Sequence, residues 1–299
     1  MQSRSIYEEY ILLVRKKLLE LTSIQDENKL DEEKVKYKND ILNWLVRTIE
    51  DLSSEILNRN RRYFELLKRM VRMTNKDAIE VTIRSASRVI INVNGPMGWL
   101  IDEVGIDWDP ILDTVLIPSS QIKGAMSAAI QFKYAINKEE VPKDIQKLRD
   151  VLFGSEQKEK MHMSLVSITD AYPVDKEDKL IDRDVILPIY TEKITEWEVK
   201  PTPVHFLVIP PGVKFKFLLI IDSPRLRRIL SNRETRRRVF GDLKIEFRNG
   251  VQVLQDILRI ELETSIRNIL DYTFNKIGIG AKTSSGYGIF EVIEYGELC

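Results

Sequence analysis

Residues 276–288 read Lys-Ile-Gly-Ile-Gly-Ala-Lys-Thr-Ser-Ser-Gly-Tyr-Gly, with four glycines, two lysines and three serine or threonine hydroxyls. Glycine admits positive φ and lets a second backbone approach closely. Successive exposed N–H groups, hydroxyls and an ammonium group together suit a phosphate. The segment is predicted to be a phosphate-contacting loop in which Gly278, Gly280, Lys282, Thr283, Ser284 and Gly286 touch a nucleic-acid strand. A plain turn is the competing reading, because glycine clusters often do no more than reverse the chain. A nucleotide-binding P-loop is excluded twice: Ala281 separates Gly280 from Lys282, and the loop follows a helix and opens a strand, the reverse of the P-loop order. The dinucleotide fingerprint fails on the same topological ground.

A second segment, residues 116–126, reads Leu-Ile-Pro-Ser-Ser-Gln-Ile-Lys-Gly-Ala-Met. A proline turn leads into a helix whose first turn carries Ser119, Ser120 and Lys123. The free N–H groups and positive dipole end of a helix start favour phosphate, which makes these three residues candidate RNA contacts. Simple N-capping by serine accounts for the pattern equally well.

Between residues 225 and 238 seven arginines face one acid, Glu234, for a local net charge of about +6. Arginine forks pair well with phosphates, which nominates Arg227 and Arg228 for RNA; a solvated helix face or an interface with an acidic subunit fits as well. Arg59, Arg61 and Arg62 read as a solvated helix face. Metal-free RNA cleavage usually needs a general acid and base, often histidine. His162 and His205 are the only histidines, and both sit in predicted strands beside apolar neighbours, as core or sheet-face residues do. The acidic pairs Asp102-Glu103, Asp107-Asp109 and Asp182-Asp184 read as solvated loop carboxylates rather than metal ligands. No nucleophile-elbow pattern is visible, and no catalytic residue, metal or cofactor is expected.

These segments need a framework. Residues 5–75 contain no proline or glycine, and Tyr10, Val14, Leu18 and Leu21, then Ile41, Leu45, Ile49 and Ile56, recur at helical spacing. Two long helices are predicted, joined near residues 25–31, with Asn28 or Asp31 capping the second. From residue 76 the texture becomes strands (78–94), a short strand (112–117), helices (120–136 and 142–152) and a strand (161–169). A loop-rich insertion (170–203) follows, then a hairpin of residues 204–209 and 213–221 around Pro210-Pro211-Gly212, a long helix (251–274) and a last strand (286–293). This rhythm predicts an α+β fold: a ferredoxin-like, RRM-like antiparallel sheet with two covering helices. The domain organisation is then a helical extension over 1–75 and a sheet domain over 76–299.

The totals bound the function. In 299 residues Lys plus Arg and Asp plus Glu are both 46, so a globally basic nucleic-acid binder is excluded while a local basic face is not. Cys299 is the only cysteine, which rules out an internal disulfide and a cysteine-based zinc site. No secretory leader and no apolar run long enough for a bilayer is present, so a cytoplasmic protein is expected.

The pairing of I-P-S-S-Q-I-K-G (117–124) with G-I-G-A-K-T-S-S-G-Y-G (278–288) resembles the RAMP superfamily, the repeat-associated proteins of CRISPR systems. Phe153-Gly154 and Asp170-Ala171-Tyr172-Pro173 look like that family's short turn and strand end. Residues 184–188 and 201–207 are similar to one subgroup, the sixth Cmr subunits of type III-B effector complexes. The resemblance covers about residues 88–292. The chain departs from the pattern where Ser119 stands for a glycine, and where Met126-Ser127-Ala128 and Ile189 replace an arginine and a histidine. The resemblance implies a non-catalytic subunit that holds the 3′ region of guide RNA, meets target RNA and packs on other Cmr subunits. It implies no membrane and no small-molecule substrate. A RAMP endoribonuclease acting on precursor transcripts, and the end-capping subunit of a type III-A (Csm) complex, are the alternatives.

Overall fold

The computed structural model describes residues 5–91, 97, 106–135, 143–154, 163–186, 203–240 and 246–298. Within these the chain runs α1 (Ile6–Leu21), α2 (Glu27–Asp51), α3 (Ser53–Met73), β1 (Asp77–Ser85), β2 (Trp108–Asp109), β3 (Thr114–Val115), α4 (Ser119–Ala135), α5 (Lys143–Phe153), β4 (Val166–Ile168), β5 (Tyr172–Asp175), β6 (Asp182–Ile186), β7 (Val204–Val208), β8 (Lys214–Ile221), α6 (Ser223–Ser231), α7 (Arg233–Phe240), α8 (Gly250–Leu262), α9 (Ile266–Asp271) and β9 (Phe290–Glu297). His162, Asp102, Glu103 and Ile189 lie outside the described residues. None of the described helices is long and apolar enough to cross a membrane.

The main sheet is antiparallel, in the order β4-β8-β1-β9, with β5 also on β8. Strand alternation explains its two faces. Phe215, Phe217, Leu219 and Ile221 of β8, with Ile79, Val81 and Ile83 of β1, are buried in the main core beside α4, α8 and α9. The alternate residues Ala78 and Leu218 form a second apolar cluster with Phe64 and Val71 of α3, so the N-terminal helices cover part of the opposite face. The rest of that face carries charge: Glu80 accepts from Lys216 (2.6 Å) and Lys68 (3.3 Å), and Thr82 donates to Glu294 at 3.0 Å.

Several expectations change at this level. The helical start has three helices, not two, because the second predicted helix breaks at Leu52. On either side of the break, α2 buries Leu42, Leu45 and Ile49 in the main core while α3 lays Phe64 on the sheet. Asp26, not Asn28 or Asp31, caps α2, accepting from the N–H groups of Asn28 and Lys29. Residues 204–221 do not form a hairpin. β7 pairs with β6, inside the stretch read as loop, and β8 pairs with β1, β4 and β5. Two prolines without N–H groups sit at the crossing, where Ser85 Oγ donates to the Pro210 carbonyl and accepts from the Val213 N–H. The long helix of 251–274 divides into α8 and α9 at Glu263, whose φ of +48° ends the first, and then widens into a π-helical turn at Tyr272–Ile277. Arg59 and Arg61 are not merely solvated: they donate to the carbonyls of Leu112 and Val174, each at 2.7 Å, tying α3 to β5 and to the turn before β3.

Candidate nucleic-acid interface

Two phenylalanines fix the glycine-rich loop at its ends. Phe274, just before it, packs between Phe217 (5.8 Å between ring centroids) and Phe290 (6.0 Å), and Phe290 opens β9 directly after it. Between these anchors the loop folds against the strand end opposite. The Ala281 N–H donates to the Ile90 carbonyl at 2.9 Å, the Gly288 N–H to Arg88 at 2.8 Å, and the Ile279 N–H to Gly288 at 2.8 Å. Glycine is required where these backbones meet. A Cβ at Gly280 (φ +101°) would lie 2.2 Å from the Ile90 oxygen, and one at Gly288 (φ +73°) 2.2 Å from the Ile279 oxygen.

That packing overturns part of the sequence reading. Of the six residues expected to touch phosphate, Gly278 and Gly286 spend their N–H groups inside the chain, as do their neighbours at 279, 281, 285 and 287–289. The N–H groups of Gly280, Lys282, Thr283 and Ser284 have no backbone partner among the described residues. Lys282 itself is exposed and left-handed (φ +59°). The helix start is likewise engaged: Asp170 Oδ1 accepts the Ser119 N–H at 2.7 Å. The carboxylate of the Asp-Ala-Tyr-Pro motif thus occupies the place at the start of α4 assigned to a phosphate, complementing the helix dipole from within.

The two segments nevertheless meet. Gln121, Gly124, Ala125 and Ala128 recur at i, i+3, i+4 and i+7 on one side of α4, and with Ile277, Gly278, Ile279, Gly280, Ala281 and Thr283 they line a cleft of about 500 Å³. Ile122, Met126, Ala129 and Ile130, on the helix's other side, are buried. Lys123, Ser119, Ser120, Lys282, Ser284 and Gly286 flank this cleft in sequence but do not line it. Sequence reasoning missed Gln121, Ala125 and Ala128. The signal was there, a small-residue stripe beside the apolar one, but it gains meaning only when the loop is seen to face it.

A third element closes the other side of the loop. Tyr287 donates to Asp184 Oδ2 at 2.7 Å, and Arg88 donates to Asp184 Oδ1 at 3.1 Å, which ties β6 to the loop and to the end of β1. Burial, then the Asp184 carboxylate, pushes the Tyr287 phenol up from its ordinary range. Ile90, Phe206 and Val208 pack beneath, with Tyr287 and Ala281 against them.

Arg227 and Arg228 are exposed on α6 but do not join this site. Asp77 Oδ2, at the first residue of β1, accepts from Ser223 Oγ and the Gly250 N–H, so α6 begins at that end of the sheet. The loop enters β9 opposite Ser85, the last residue of β1, about 26 Å away at 3.3 Å per residue. His205 is half-buried on β7 opposite Val185. Asp109 accepts from the N–H groups of Ile111 and Leu112 and from Tyr172 Oη, so it braces a turn.

Comparison with known proteins gives the chain its relatives. Over 199 residues, 66% of this chain, it is 30% identical to the CRISPR system CMR subunit Cmr6 of Saccharolobus solfataricus; the aligned part spans 64% of that relative's length. It is also similar to a chain in the cryo-EM structure of the Type III-B Cmr-beta bound to cognate target RNA, with a TM-score of 0.61 and 26% identity over 94% of this chain and 81% of that one. The family model described as the RAMP superfamily matches residues 101–291, from just before β2 through the cleft to β9, and the chain belongs to that superfamily.

Proposed function

We infer that this chain is an RNA-holding subunit of a type III-B CRISPR effector complex, and that it binds guide RNA without cutting it. One observation carries the reading: the Gln121–Ala128 side of α4 and the glycine-rich loop, about 150 residues apart in sequence, form the two walls of one open cleft. Lys123, on another side of α4, and the exposed Lys282 would meet phosphates as the strand passes. Similarity to a Cmr6 subunit and to a chain of a Cmr complex bound to target RNA supports guide and target RNA and other Cmr subunits as its partners. The strand order β4-β8-β1-β9, all antiparallel, supports a ferredoxin-like framework. Asn75, with φ +52° between α3 and β1, supports the boundary between the extension and the sheet domain. The test is purification of the tagged chain from its native host. Short CRISPR-derived RNA and partner proteins should travel with it; recovery of the chain without either would defeat the reading.

A further inference from the structure

Residues 223–240 carry seven arginines and a single acid, Glu234, and the cleft uses none of them. The apolar side chains of this stretch face inward: Leu226 and Ile229 of α6 and Phe240 of α7 are buried in the main core. Helical spacing then turns the arginines outward. Arg227 and Arg228 share the exposed side of α6 with Pro224 and Ser231, and Arg233, Arg237 and Arg238 share that of α7 with Glu234. Arg227 lays its guanidinium over the Phe247 ring, 4.6 Å from the centroid. Arg228, Arg233, Arg236 and Arg238 reach no carboxylate among the described residues, whereas Arg59, Arg84, Arg88, Arg149 and Arg267 all do. The crowding works against folding. Arg233 and Arg237 are like charges at i, i+4, and Arg233 stands in the first turn of α7, where the helix dipole disfavours a cation.

The surface also lacks what a protein partner would need. No large apolar side chain is exposed between residues 223 and 240; the exposed Met163, whose carbonyl accepts from Arg225, lies beside the patch. Protein interfaces have an apolar centre inside a polar rim. A phosphate backbone needs no such centre, since guanidinium forks and the release of counterions supply the binding.

The structure assigns α6 and α7 a second RNA contact, one that takes the phosphate backbone without reading bases. It lies at the opposite end of β1 from the glycine-rich loop, about 26 Å away. A stacked strand rising about 3.4 Å per nucleotide covers that distance in about eight nucleotides, so the segment held here is a different one from that in the cleft. This inference rests on the RNA-holding reading and extends it from one place on the chain to two.

The experiment measures binding of oligouridine to the full-length chain across a salt series. The variant combines Arg227→Gln, Arg228→Gln, Arg233→Gln and Arg238→Gln. Each phosphate contact of a single strand contributes about 0.7 to the slope of log affinity against log salt. The variant should therefore lose about 2–3 from that slope and bind about tenfold or more weakly, with the same loss on oligoadenosine. Lysine at the same four positions keeps the charge and should keep the slope. Thermal melts check folding, and Arg228→Gln with Arg233→Gln, expected to lose about half as much slope, serves should the fourfold variant unfold. Wild-type affinity and slope in the glutamine variants overturn the second contact and leave RNA binding at the cleft in place. A glutamine variant that binds RNA normally but no longer assembles with its partner subunits overturns it in favour of an acidic protein surface. A wild type that binds no RNA overturns the RNA-holding reading and the second contact with it.

Discussion

Three glycines of α4 and the glycine-rich loop should respond to alanine in a fixed order. At Gly280 a Cβ would stand 2.2 Å from the Ile90 oxygen and 3.1 Å from its carbon, with φ at +101°. The left-handed backbone costs a side chain about 1–2 kcal/mol. Relief of the clash moves the Ile90 carbonyl, the same group that accepts the Ala281 N–H at 2.9 Å, and a lost buried hydrogen bond adds about 1 kcal/mol. Strain from the forced shift brings the total to about 3–5 kcal/mol. That is a large part of a stability of about 5–15 kcal/mol and lowers Tm by on the order of 10 °C. At Gly286 φ is +87° but nothing lies within 4 Å, so only the backbone cost of about 1 kcal/mol remains. At Gly124 the space is open and the backbone helical; alanine there should stabilise by about 1 kcal/mol. Thermal melts followed by circular dichroism should rank Gly124→Ala above the wild type, Gly286→Ala slightly below and Gly280→Ala far below. A Gly280→Ala protein as stable as Gly286→Ala would refute the claim that the loop packs directly on the Ile90 backbone.

Lys123→Ala combined with Lys282→Ala should weaken RNA binding and reduce its salt slope by about 1–2; an unchanged slope would show that neither lysine meets a phosphate. Asp184→Asn removes the carboxylate that helps hold the Tyr287 phenol up. Alkaline ultraviolet titration should then show one tyrosine ionising at lower pH than in the wild type, and an identical titration would break the proposed tie between β6 and the loop. Burial raises the Glu80 carboxyl, but hydrogen bonds and charge from Lys216 and Lys68 outweigh it and hold it below the usual range. A carboxylate lowered in the folded state stabilises above its unfolded pKa of about 4.3 and loses that contribution as pH falls through the folded value. Glu80→Gln should therefore lower Tm at neutral pH and cost little in strong acid; an equal deficit at both would discount the ion-pair network.

What the sequence disclosed and what it hid divide by the range of the interaction. α4, the glycine-rich loop and the alternation of β8 are local patterns, and each lies where residue spacing places it. The break at Leu52 carries no proline or glycine signal: α2 and the first turn of α3 share the main core through Ile49, Ile56 and Leu57, and only farther along does α3 turn Phe64 and Val71 onto the sheet. β7 was assigned the wrong partner because β6 lies in a charged stretch, with Asp182, Arg183 and Asp184 in a row, that does not read as a strand. The fate of the Ala281 and Gly288 N–H groups was hidden for a similar reason: their acceptors, the carbonyls of Ile90 and Arg88, lie almost 200 residues earlier. The separation of Arg227 and Arg228 from the cleft likewise depends on which end of β1 each segment joins.

The most direct measurement is a cross-linking map. Guide RNA carrying photoreactive 4-thiouridine would be assembled with this chain and its partner subunits, irradiated, and the attached peptides identified by mass spectrometry. Adducts should fall in both walls of the cleft, within residues 119–128 and 277–288. Adducts confined to α6 and α7, or absent from this chain while neighbouring subunits are labelled, would contradict an RNA strand gripped between α4 and the glycine-rich loop.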